Sequence, residues 1–502
     1  MKRVIYSYIS NNETKHLPEY LNDKYDWAPV GFHGHISLLP WMEKFATKPV
    51  LFNEKELRQG IFNYPESVRE VPLGSDVLED LSSYQLNYLS WIQDTTGWNF
   101  SYTERVDYFY RMLKYWNSVI LSLKPELFVS YTWPHLQSDF ALYLICKYHY
   151  KIPCLFLDIV PHFDNGRHLI GSSLEELSTP IIKNYKDYKY SELDSEVIDY
   201  VSKLRISNQY LPRHVKEYFS FLDRKKSDDL KEFIKLFLGI FNGSSFSSDH
   251  FFKKNFSPWG EKKSLLNRFD YFFFTQKLRK QNKKNLRIYE SITSPIEFKE
   301  NYVYFAAPYQ PEAISNLVQG YFENLFLILD IISYSIPHDF LIYYKEHPNT
   351  FKDKDKGALY RDSLFYKRLK SYKKIRIVDH RIESFKLIDH CRFSATVGGS
   401  VGWESILRGK PCLVFGTTWY DKCEGVFRIR NVTEAEKALS KILGGYKIDE
   451  NKINSYAQTI FNITKKDTLV VTDYERKIET CKSPITEIEQ IGDMFVKYEK
   501  KL

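Results

Sequence analysis

Short apolar runs alternate with stretches of helical periodicity along the first 175 residues of the chain. The short runs are bounded by polar or turn-forming residues, as buried strands are, and the longer stretches repeat apolar residues every three or four positions. Strands are predicted at 4–9, 48–53, 125–131 and 152–160, and helices at 103–123 and 136–148. Because strands that alternate with helices form parallel sheets, residues 1–175 are predicted to be an α/β domain.

The same alternation returns at residue 299 and continues to about residue 480. Strands are predicted at 302–306, 340–345, 375–378, 391–397 and 411–415, and helices at 311–335, 361–371, 383–389, 400–408 and 434–443. We therefore expect a second parallel-sheet domain over 299–480, followed by a C-terminal helix within 481–502. Ligands of such sheets bind beyond the carboxyl ends of the strands.

The region between the two predicted domains, residues 176–298, has no clear strand pattern and is interpreted as a mainly helical insertion or linker. Its stretch 253–287 is rich in Lys and Arg, with aromatic residues between them. Such a stretch could rest on an anionic membrane or hold a polyanionic acceptor. A helix with one buried aromatic face and one solvated basic face explains the same pattern, and we favour that second interpretation.

Composition limits the class of protein. A chain of 502 residues is too long for one core, so two or three domains are expected. The net charge of +8 suits anionic ligands or a membrane surface and is no signature of nucleic-acid binding. Six cysteines without a CxxC pair indicate buried thiols in a reducing compartment. With neither a signal-peptide pattern nor an apolar run long enough to span a bilayer, the protein is predicted to be cytoplasmic.

A glycine-rich turn at residues 396–404 lies between a predicted strand and a predicted helix. Gly398, Gly399 and Gly402 would let the backbone approach a ligand closely, and a helix N-terminus presents free N–H groups to an anion. Ser400 could cap the helix or bind a phosphate oxygen, and Glu404, one turn later, could accept from a ribose hydroxyl. The turn predicts a nucleotide phosphate cradle, although a tight turn with a capping serine explains the same residues.

Two further loops are expected at the same edge of the second sheet. They are residues 307–312 and residues 345–349, and each follows a predicted strand. Loops at the carboxyl ends of neighbouring parallel strands converge on one crevice. Together with the glycine turn they offer phosphate donors at Lys345, His347 and Ser400 and hydroxyl acceptors at Glu312 and Glu404.

The ordered set of motifs in this half resembles bacterial capsular polysaccharide biosynthesis glycosyltransferases, including the Kdo-transferase-like enzymes. The resemblance covers about 300–430 well and the first half only in outline. The His347–Pro348 pair also resembles the motif by which bacterial sialyltransferases and polyol-phosphate polymerases bind a cytidine nucleotide. The motifs are Tyr304, Pro-Tyr-Gln-Pro-Glu at 308–312, Lys-Glu-His-Pro at 345–348, Val-Gly-Gly-Ser-Val-Gly-Trp-Glu at 397–404, Arg-Gly-Lys-Pro at 408–411 and Phe-Gly at 415–416.

This resemblance implies a GT-B fold, with two Rossmann-like domains facing a cleft, and an inverting, metal-independent transfer. It places the nucleotide-sugar donor on the C-terminal domain, with His347, Ser400 and the Gly399 backbone at its phosphate and Glu404 near the ribose. No metal or other cofactor is expected beside the nucleotide sugar, which is expected to be CMP-linked. The implied donor-binding residues are Gln310, Glu312, Lys345, His347, Pro348, Gly399, Ser400, Val401 and Glu404.

Inverting transfer needs a base that takes the proton of the acceptor hydroxyl. The candidates are Asp158, His162 and Asp164, which leave the strongest predicted strand of the first half, and Asp158 ranks first as the one nearest the strand end. Arg167 could attract an anionic acceptor or a donor carboxylate. The pair His33 and His35 is a weaker candidate, interpreted as coincidental.

The resulting hypothesis is a glycosyltransferase that moves an acidic sugar such as Kdo from CMP to a surface glycan or glycolipid acceptor. The transfer is expected to take place in the cytoplasm. We further expect peripheral contact with the inner membrane and no binding of nucleic acid. The alternatives are a CDP-polyol phosphotransferase, a UDP- or GDP-hexose glycosyltransferase and a non-catalytic scaffold of the same fold.

Overall fold

A computed structural model describes residues 1–9, 12–96, 101–160, 167–206, 265–312, 316–351, 356–466 and 484–501, together with the isolated positions 234, 237 and 238. The strands are β1 Lys2–Ile9, β2 Trp27–Gly34, β3 Val50–Asn53, β4 Leu127–Ser130, β5 Cys154–Val160, β6 Arg167–Gly171, β7 Tyr302–Ala306, β8 Leu341–Lys345, β9 Ile375–Ile377, β10 Phe393–Thr396, β11 Cys412–Val414, β12 Val426–Arg428 and β13 Lys465–Lys466.

The helices cover both sheets. They are α1 Asn12–Tyr25, α2 Leu39–Met42, α3 Glu54–Arg58, α4 Ser75–Thr96, α5 Tyr102–Leu123, α6 Gln137–Leu144, α7 Thr179–Lys183, α8 Ser195–Ile206, α9 Leu265–Ser291, α10 Leu325–Ser335, α11 Ser363–Ser371, α12 Ser384–His390, α13 Ser400–Leu407, α14 Val432–Leu443, α15 Glu450–Ile463 and α16 Pro484–Glu499.

The first sheet has the strand order β13-β6-β5-β4-β1-β2-β3 and is parallel from β5 to β3. Strand β6 returns antiparallel to β5, and β13 pairs antiparallel with β6. Strand β2 is absent from the predictions because Pro29, Gly31 and Gly34 interrupt its apolar pattern, yet all eight of its residues are buried. The predicted parallel α/β domain is therefore confirmed, with one more central strand and an antiparallel hairpin at one end.

The second sheet has the order β12-β11-β10-β7-β8-β9, and all of its pairs are parallel. The long helix predicted at 311–335 is wrong, since the chain turns at Gly320 and helix α10 begins only at Leu325. Gly320 has a φ of 56°, which a continuous right-handed helix does not contain, and the Asn324 side chain caps α10 by accepting from the Phe326 N–H at 3.1 Å. A 3₁₀ turn at Gly320–Glu323 precedes that cap.

Local capping fixes where helix α5 of the first domain begins. The Ser101 hydroxyl accepts from the Glu104 N–H at 3.2 Å, and the Glu104 carboxylate accepts from the Ser101 N–H at 2.7 Å. This reciprocal pair satisfies two N–H groups that a helix start leaves without partners. The helix then buries Trp116, whose indole N–H donates to the Ser138 carbonyl at 2.8 Å.

The C-terminal helix α16 belongs to the core of the first domain. Its residues Ile488, Ile491 and Phe495 are buried in one apolar cluster with Leu17 and Leu21 of α1. The chain thus crosses from the second domain back to the first before it ends, and the burial of these aliphatic and aromatic side chains ties the two halves together.

The described part of the 176–298 region contains helices α7, α8 and α9, together with turns and irregular segments. Helix α8 packs on the second domain, where the Tyr200 hydroxyl accepts from the Trp403 indole N–H at 2.8 Å. Helix α9 contributes Tyr289 to the core of the same domain. Much of the basic aromatic stretch at 253–287 lies outside the described residues, and the domain boundaries at 175, 298 and 480 stay predictions. No helix in the described ranges is long and apolar enough to cross a membrane.

Candidate active site

A cavity of about 600 Å³ lies between the carboxyl ends of the two sheets. The loops that follow β7, β8 and β10 form its wall on the C-terminal domain, and Trp133 and Asp158 contribute to the wall on the N-terminal domain. The three loops singled out in the sequence are therefore brought together in one crevice, opposite the strand that carries the candidate base. Parallel strands explain this geometry, because their carboxyl ends share one edge.

Most of the sequence-derived site residues lie in the wall of this cavity. Gln310 and Glu404 lie behind the wall, while His162 and Asp164 fall outside the described residues and Arg167 is described only as the first residue of β6. The candidates in the wall are Asp158, Glu312, Lys345, His347, Pro348, Gly399, Ser400 and Val401.

The glycine turn ends in helix α13, whose N-cap is Gly399 and not Ser400. The predicted capping role of Ser400 is therefore corrected. The Gly399 N–H donates to the Thr396 hydroxyl at 3.2 Å, which holds the turn against the end of β10. Ser400 is left as the first helical residue at the cavity wall, where the first N–H groups of a helix have no partner within the helix.

Gly398 and Gly402 serve close packing within the protein. A Cβ atom on Gly402 would lie 2.4 Å from the Tyr420 hydroxyl oxygen, and one on Gly398 would lie 2.9 Å from the Gln319 amide nitrogen and 3.1 Å from the Thr417 carbonyl. The prediction that Gly402 makes room for a ligand is corrected, because the ring of Tyr420 occupies that space. Around Gly399 a Cβ atom would meet only the Thr396 hydroxyl, at 3.3 Å.

Glu404 supports the cavity from behind. It is 6% exposed, and burial raises the pKa of its carboxyl, while the hydroxyl of Ser400 and the charge of Lys345 lower it in part. In the structure Glu404 interacts with two residues of the wall, and the contact with a ribose stays a prediction.

Lys345 ends strand β8 with its ammonium group in the cavity wall. The side chain is 6% exposed, and its Nζ donates to the Ser384 hydroxyl at 3.0 Å. Ser384 also accepts from the Tyr304 hydroxyl at 3.1 Å. Burial lowers the pKa of Lys345 to about 8, although the carboxylates of Glu404 and Asp379 act against that shift. An anionic ligand in the cavity would therefore stabilise the charged form of this buried amine.

The backbone fixes the tautomer of His347. The N–H of Asn349 donates to His347 Nδ1 at 3.1 Å, so Nδ1 is the acceptor of the ring. In a neutral imidazole the proton then resides on Nε2, which makes that nitrogen a donor. His347 lines the cavity beside Tyr309, with ring centroids 5.8 Å apart. The ring can therefore donate to a phosphate oxygen without carrying a positive charge.

Glu346, between these two residues, forms a buried ion pair. Its carboxylate accepts from the Arg361 guanidinium at 2.6 Å and from the Tyr344 hydroxyl at 2.6 Å. The same guanidinium donates to the Gln310 side chain at 3.0 Å. Lys345 and Glu346 are neighbours in the sequence, and both are buried. Arg361 joins the loop after β7 to the loop after β8.

Asp158 occupies the opposite wall. It lies in β5 with Ile159 and Val160 still to follow, and the strand ends at Val160 as predicted. In the sheet it stands opposite Leu169 of the antiparallel strand β6, and it is 7% exposed. A carboxylate held in a strand at this wall can face a substrate that fills the cavity.

Glu312 reaches the cavity from the loop after β7. Its carboxyl group is accessible from the cavity but surrounded by protein, and this enclosure raises its pKa to about 7. The Glu312 N–H donates to the Asn316 side chain at 3.0 Å, which fixes the backbone at this point. A carboxyl group with such a pKa can hold or release a proton near neutral pH.

Several residues of the wall escaped the sequence analysis, although they also follow strands. Gln319 anchors one of these segments, because its side chain accepts from the Thr417 N–H at 2.9 Å. Their position after β4, β9 and β11 could have identified them as site residues, whereas their residue types could not. They are Trp133, Ser384, Thr417, Thr418, Trp419 and Tyr420.

Two features that the sequence offered as candidates lie elsewhere. His33 is buried in β2, where its ring nitrogens contact the hydroxyls of Ser7 and Ser138 at 2.9 and 2.8 Å, and His35 caps a short 3₁₀ turn. Within the described ranges, no group of three or more His, Cys, Asp or Glu side chains is arranged to hold a metal ion.

The strand-end motifs of the second domain fall within a known family. Residues 261–442 match the family model described as "Capsule polysaccharide biosynthesis protein". This segment is similar to capsule polysaccharide biosynthesis proteins. The match confirms, over that segment, the predicted resemblance to capsule polysaccharide biosynthesis proteins. The segment holds the wall of the cavity from Tyr304 to Tyr420.

The chain is similar to several solved structures at low identity and low TM-score. UDP-GlcNAc 2-epimerase from Methanocaldococcus jannaschii is 14% identical, with 92% of this chain and 99% of that chain covered and a TM-score of 0.26. The beta Kdo 2,7 transferase of Thermosulfurimonas dismutans KpsC is 8% identical over 78% of this chain and 90% of that chain, with a TM-score of 0.29. The beta Kdo 2,4 transferase of the same KpsC is 11% identical over 66% and 87%, with a TM-score of 0.24. No curated protein matches the chain.

Proposed function

We propose that this protein transfers a sugar from a CMP-linked donor, bound on the C-terminal domain, to a glycan or glycolipid acceptor. The observation that carries the proposal is the opposition of Asp158 to Lys345 and His347 across one cavity of about 600 Å³. A volume of this size suits a nucleotide-sized ligand. One wall offers donors for a phosphate, and the other offers a carboxylate for an acceptor hydroxyl.

The charge of the wall favours a donor with a single phosphate. Among the described lining residues, Lys345 is the sole Lys or Arg, and it stands with the neutral donor His347 and the N-terminus of α13. Asp158 and Glu312 line the same cavity, as does Glu346, whose carboxylate is already paired with Arg361. One cation among two carboxyl groups suits the single phosphate of a CMP-sugar better than the diphosphate of a UDP- or GDP-sugar.

The proposed reaction is a direct displacement at the anomeric carbon. Asp158 accepts the proton of the acceptor hydroxyl while the hydroxyl oxygen bonds to the anomeric carbon. The bond between that carbon and the phosphate oxygen breaks, and CMP leaves with the electron pair. Lys345, His347 and the first N–H groups of α13 stabilise the charge that develops on the leaving phosphate. Attack from the face opposite CMP inverts the anomeric configuration.

These cationic and N–H groups perform at the phosphate the task that a metal ion performs in other transferases, so we propose that no metal takes part. Activity that survives treatment with EDTA supports this part of the proposal, and activity that returns only with an added divalent cation contradicts it.

The site of action is part of the same proposal. The five cysteines in the described ranges are buried and unpaired, which fits a reducing compartment. We place the reaction in the cytoplasm, with the acceptor at the cytoplasmic face of the inner membrane.

Product analysis tests the transfer. Purified protein is incubated with CMP-Kdo and, in parallel, with CMP-sialic acid, CDP-ribitol and UDP-glucose, each with a panel of oligosaccharide acceptors. The expected result is acceptor-dependent release of CMP and a glycosidic bond of inverted configuration by NMR. A phosphodiester product from the CDP-polyol would establish the polyol phosphotransferase instead. Retention of configuration would contradict direct displacement and make Asp158 a candidate nucleophile.

A further inference from the structure

Three aromatic rings form a row along the N-terminal wall, starting at the cavity. Trp133 lines the cavity, His135 lies beside it with ring centroids 5.2 Å apart, and Tyr8 stacks on His135 at 5.3 Å with planes inclined by 18°. All three side chains are half-buried, so each keeps a surface that a ligand can reach. We call Trp133, His135 and Tyr8 the ring row.

The backbone of Tyr8 is strained in a way that serves this arrangement. Its φ is 63°, a left-handed conformation that aromatic residues rarely adopt. Between β1 and β2 the register runs from Ser7 opposite His33 to Ile9 opposite Gly34, so Tyr8 is the extra residue of a β-bulge. Bulges at strand ends redirect a side chain, and strain of this kind gathers at functional sites. Here it places the Tyr8 ring against His135.

The middle ring is held in one orientation and one tautomer. His135 Nδ1 lies 2.8 Å from the Trp133 carbonyl, and since a carbonyl can only accept, Nδ1 carries the proton. The carbonyl of His135 itself accepts from the Trp91 indole N–H at 2.9 Å, which fixes the loop. Nε2 is then the acceptor of the ring, and the Tyr8 hydroxyl lies 3.3 Å from it. The row thus presents an acceptor and a hydroxyl next to flat apolar surfaces.

The described charges near the ring row largely cancel. Arg58 and Glu54 form an ion pair at 3.1 Å, and both act on the Tyr8 hydroxyl electrostatically. Asp139 also acts on it, but burial raises the pKa of Asp139, which favours its neutral form. Burial likewise lowers the pKa of His135, which favours the neutral ring. A carboxylated ligand would find no net positive charge among these groups, whereas a neutral ligand needs none.

We propose that the ring row is a binding subsite for an uncharged pyranose unit of the acceptor glycan. One face of a pyranose presents C–H groups that stack on aromatic rings, and its hydroxyls suit the Nε2 of His135 and the hydroxyl of Tyr8. The row would lead the acceptor chain along the N-terminal wall toward Asp158. The proposal that the ring row binds a sugar rests on its geometry alone. The proposal that this sugar belongs to the acceptor rests on the proposed function.

Saturation-transfer NMR with the full-length protein tests the subsite without relying on catalysis. The probes are the methyl glycosides of β-D-glucose, β-D-galactose and N-acetyl-β-D-glucosamine, with methyl β-D-glucuronide as the acidic comparison, each with and without CMP. We expect saturation of the ring protons of at least one neutral glycoside and a weaker effect for the glucuronide. Trp133→Ala and His135→Ala should each weaken the neutral glycoside about tenfold, since loss of a stacked ring or of a hydrogen bond has that effect.

Variants that keep the fold make the test decisive. Tyr8→Gly removes a ring of the row while suiting the left-handed backbone, and His135→Gln and Trp133→Phe keep much of the original volume. Tyr334→Ala removes an aromatic side chain that is 73% exposed on α10 and serves as the matched control, expected to change nothing. Thermal unfolding of every variant confirms that it is folded.

The outcomes separate this inference from the proposed function. Neutral glycosides that bind equally well to folded Trp133→Ala, His135→Ala and Tyr8→Gly, or that do not bind at all, overturn the subsite even if CMP binds normally. Preference for the glucuronide overturns the assignment to a neutral sugar. If glycoside binding depends on the row but no nucleotide binds, the subsite is supported and the proposed function is rejected.

Discussion

The Arg361 guanidinium donates to the Glu346 carboxylate at 2.6 Å, and neither side chain is more than 2% exposed. The same guanidinium reaches Gln310, so a single buried cation fixes the loops that carry Glu312 on one side and His347 on the other. The shape of the donor wall therefore depends on a buried charge pair.

Removal of Arg361 is expected to be strongly destabilising. Arg361→Met leaves the Glu346 carboxylate buried without its counter-charge, which typically costs about 3–5 kcal/mol. Chemical denaturation of the variant measures the loss. Asp199→Ala is the control, because it breaks the exposed Lys203–Asp199 pair on α8, which is worth about 0.5 kcal/mol. Equal stability of Arg361→Met and the wild type would contradict the assigned role.

The affinity for an anionic nucleotide is expected to fall as the pH rises through 8. Lys345 has a pKa of about 8 in the free protein, so its positive charge is present below that pH and is lost above it. Titrations of CMP by calorimetry between pH 6.5 and 9.5 measure the effect. Lys345→Met should bind weakly and without this pH dependence, whereas an unchanged profile in that variant would assign the effect to another group.

The titration of Lys345 is expected to change the stability of the fold with pH in the opposite direction. In the unfolded chain a lysine titrates at about 10.4, so between pH 8 and that value the unfolded state binds more protons than the folded state. The contribution of Lys345 to the free energy of unfolding therefore increases with pH over this window. Urea denaturation of the wild type and Lys345→Met at pH 7.5 and 9.5 measures this contribution. The stability of the wild type relative to the variant should be lower at pH 7.5 than at pH 9.5.

Asp158 is expected to act in the chemical step and not in donor binding. Asp158→Asn keeps the size of the side chain but removes the base, so the transfer rate should fall about 10²- to 10⁴-fold. CMP binding should stay within about twofold of the wild type, as judged by calorimetry. Asp199→Asn, on the surface of α8, should leave both quantities unchanged. A variant that loses CMP binding together with transfer would show that Asp158 has a structural role.

The strain at Tyr8 gives a prediction about stability alone. Both Tyr8→Gly and Tyr8→Ala remove the ring, but alanine keeps a Cβ atom in the left-handed conformation and glycine does not. Tyr8→Gly should therefore be more stable than Tyr8→Ala by about 1 kcal/mol in chemical denaturation. Alanine at least as stable as glycine would show that the backbone relaxes once the ring is gone.

The architecture was largely predictable because buried parallel strands are continuous apolar runs. The strands Tyr302–Ala306 and Cys154–Val160 illustrate this, whereas Trp27–Gly34 was missed because proline and two glycines hide a fully buried strand. The helix predicted at 311–335 failed since periodicity does not reveal the left-handed Gly320 or the competing cap at Asn324.

The candidate site was predictable as far as strand ends and motifs define it. The convergence of Lys345, His347 and Ser400 follows from neighbouring parallel strands. The orientation of Glu404 does not, because helical spacing alone leaves open which side of the turn faces the cavity. The loop with Trp133 and His135 follows a predicted strand, but its ring row depends on the bulge at Tyr8, which the residue types do not predict.

The most direct test of the central claim is thermal-shift binding of CMP, CDP, UDP, GDP and dTDP to the wild type, His347→Ala and the exposed control His338→Ala. A nucleotide present at about a hundred times its dissociation constant should stabilise the fold by about 2.7 kcal/mol. We predict that CMP stabilises the wild type and His338→Ala most and that His347→Ala loses the effect. Stabilisation by none of the nucleotides, or an equal response in His347→Ala, would contradict a nucleotide-sugar site in this cavity.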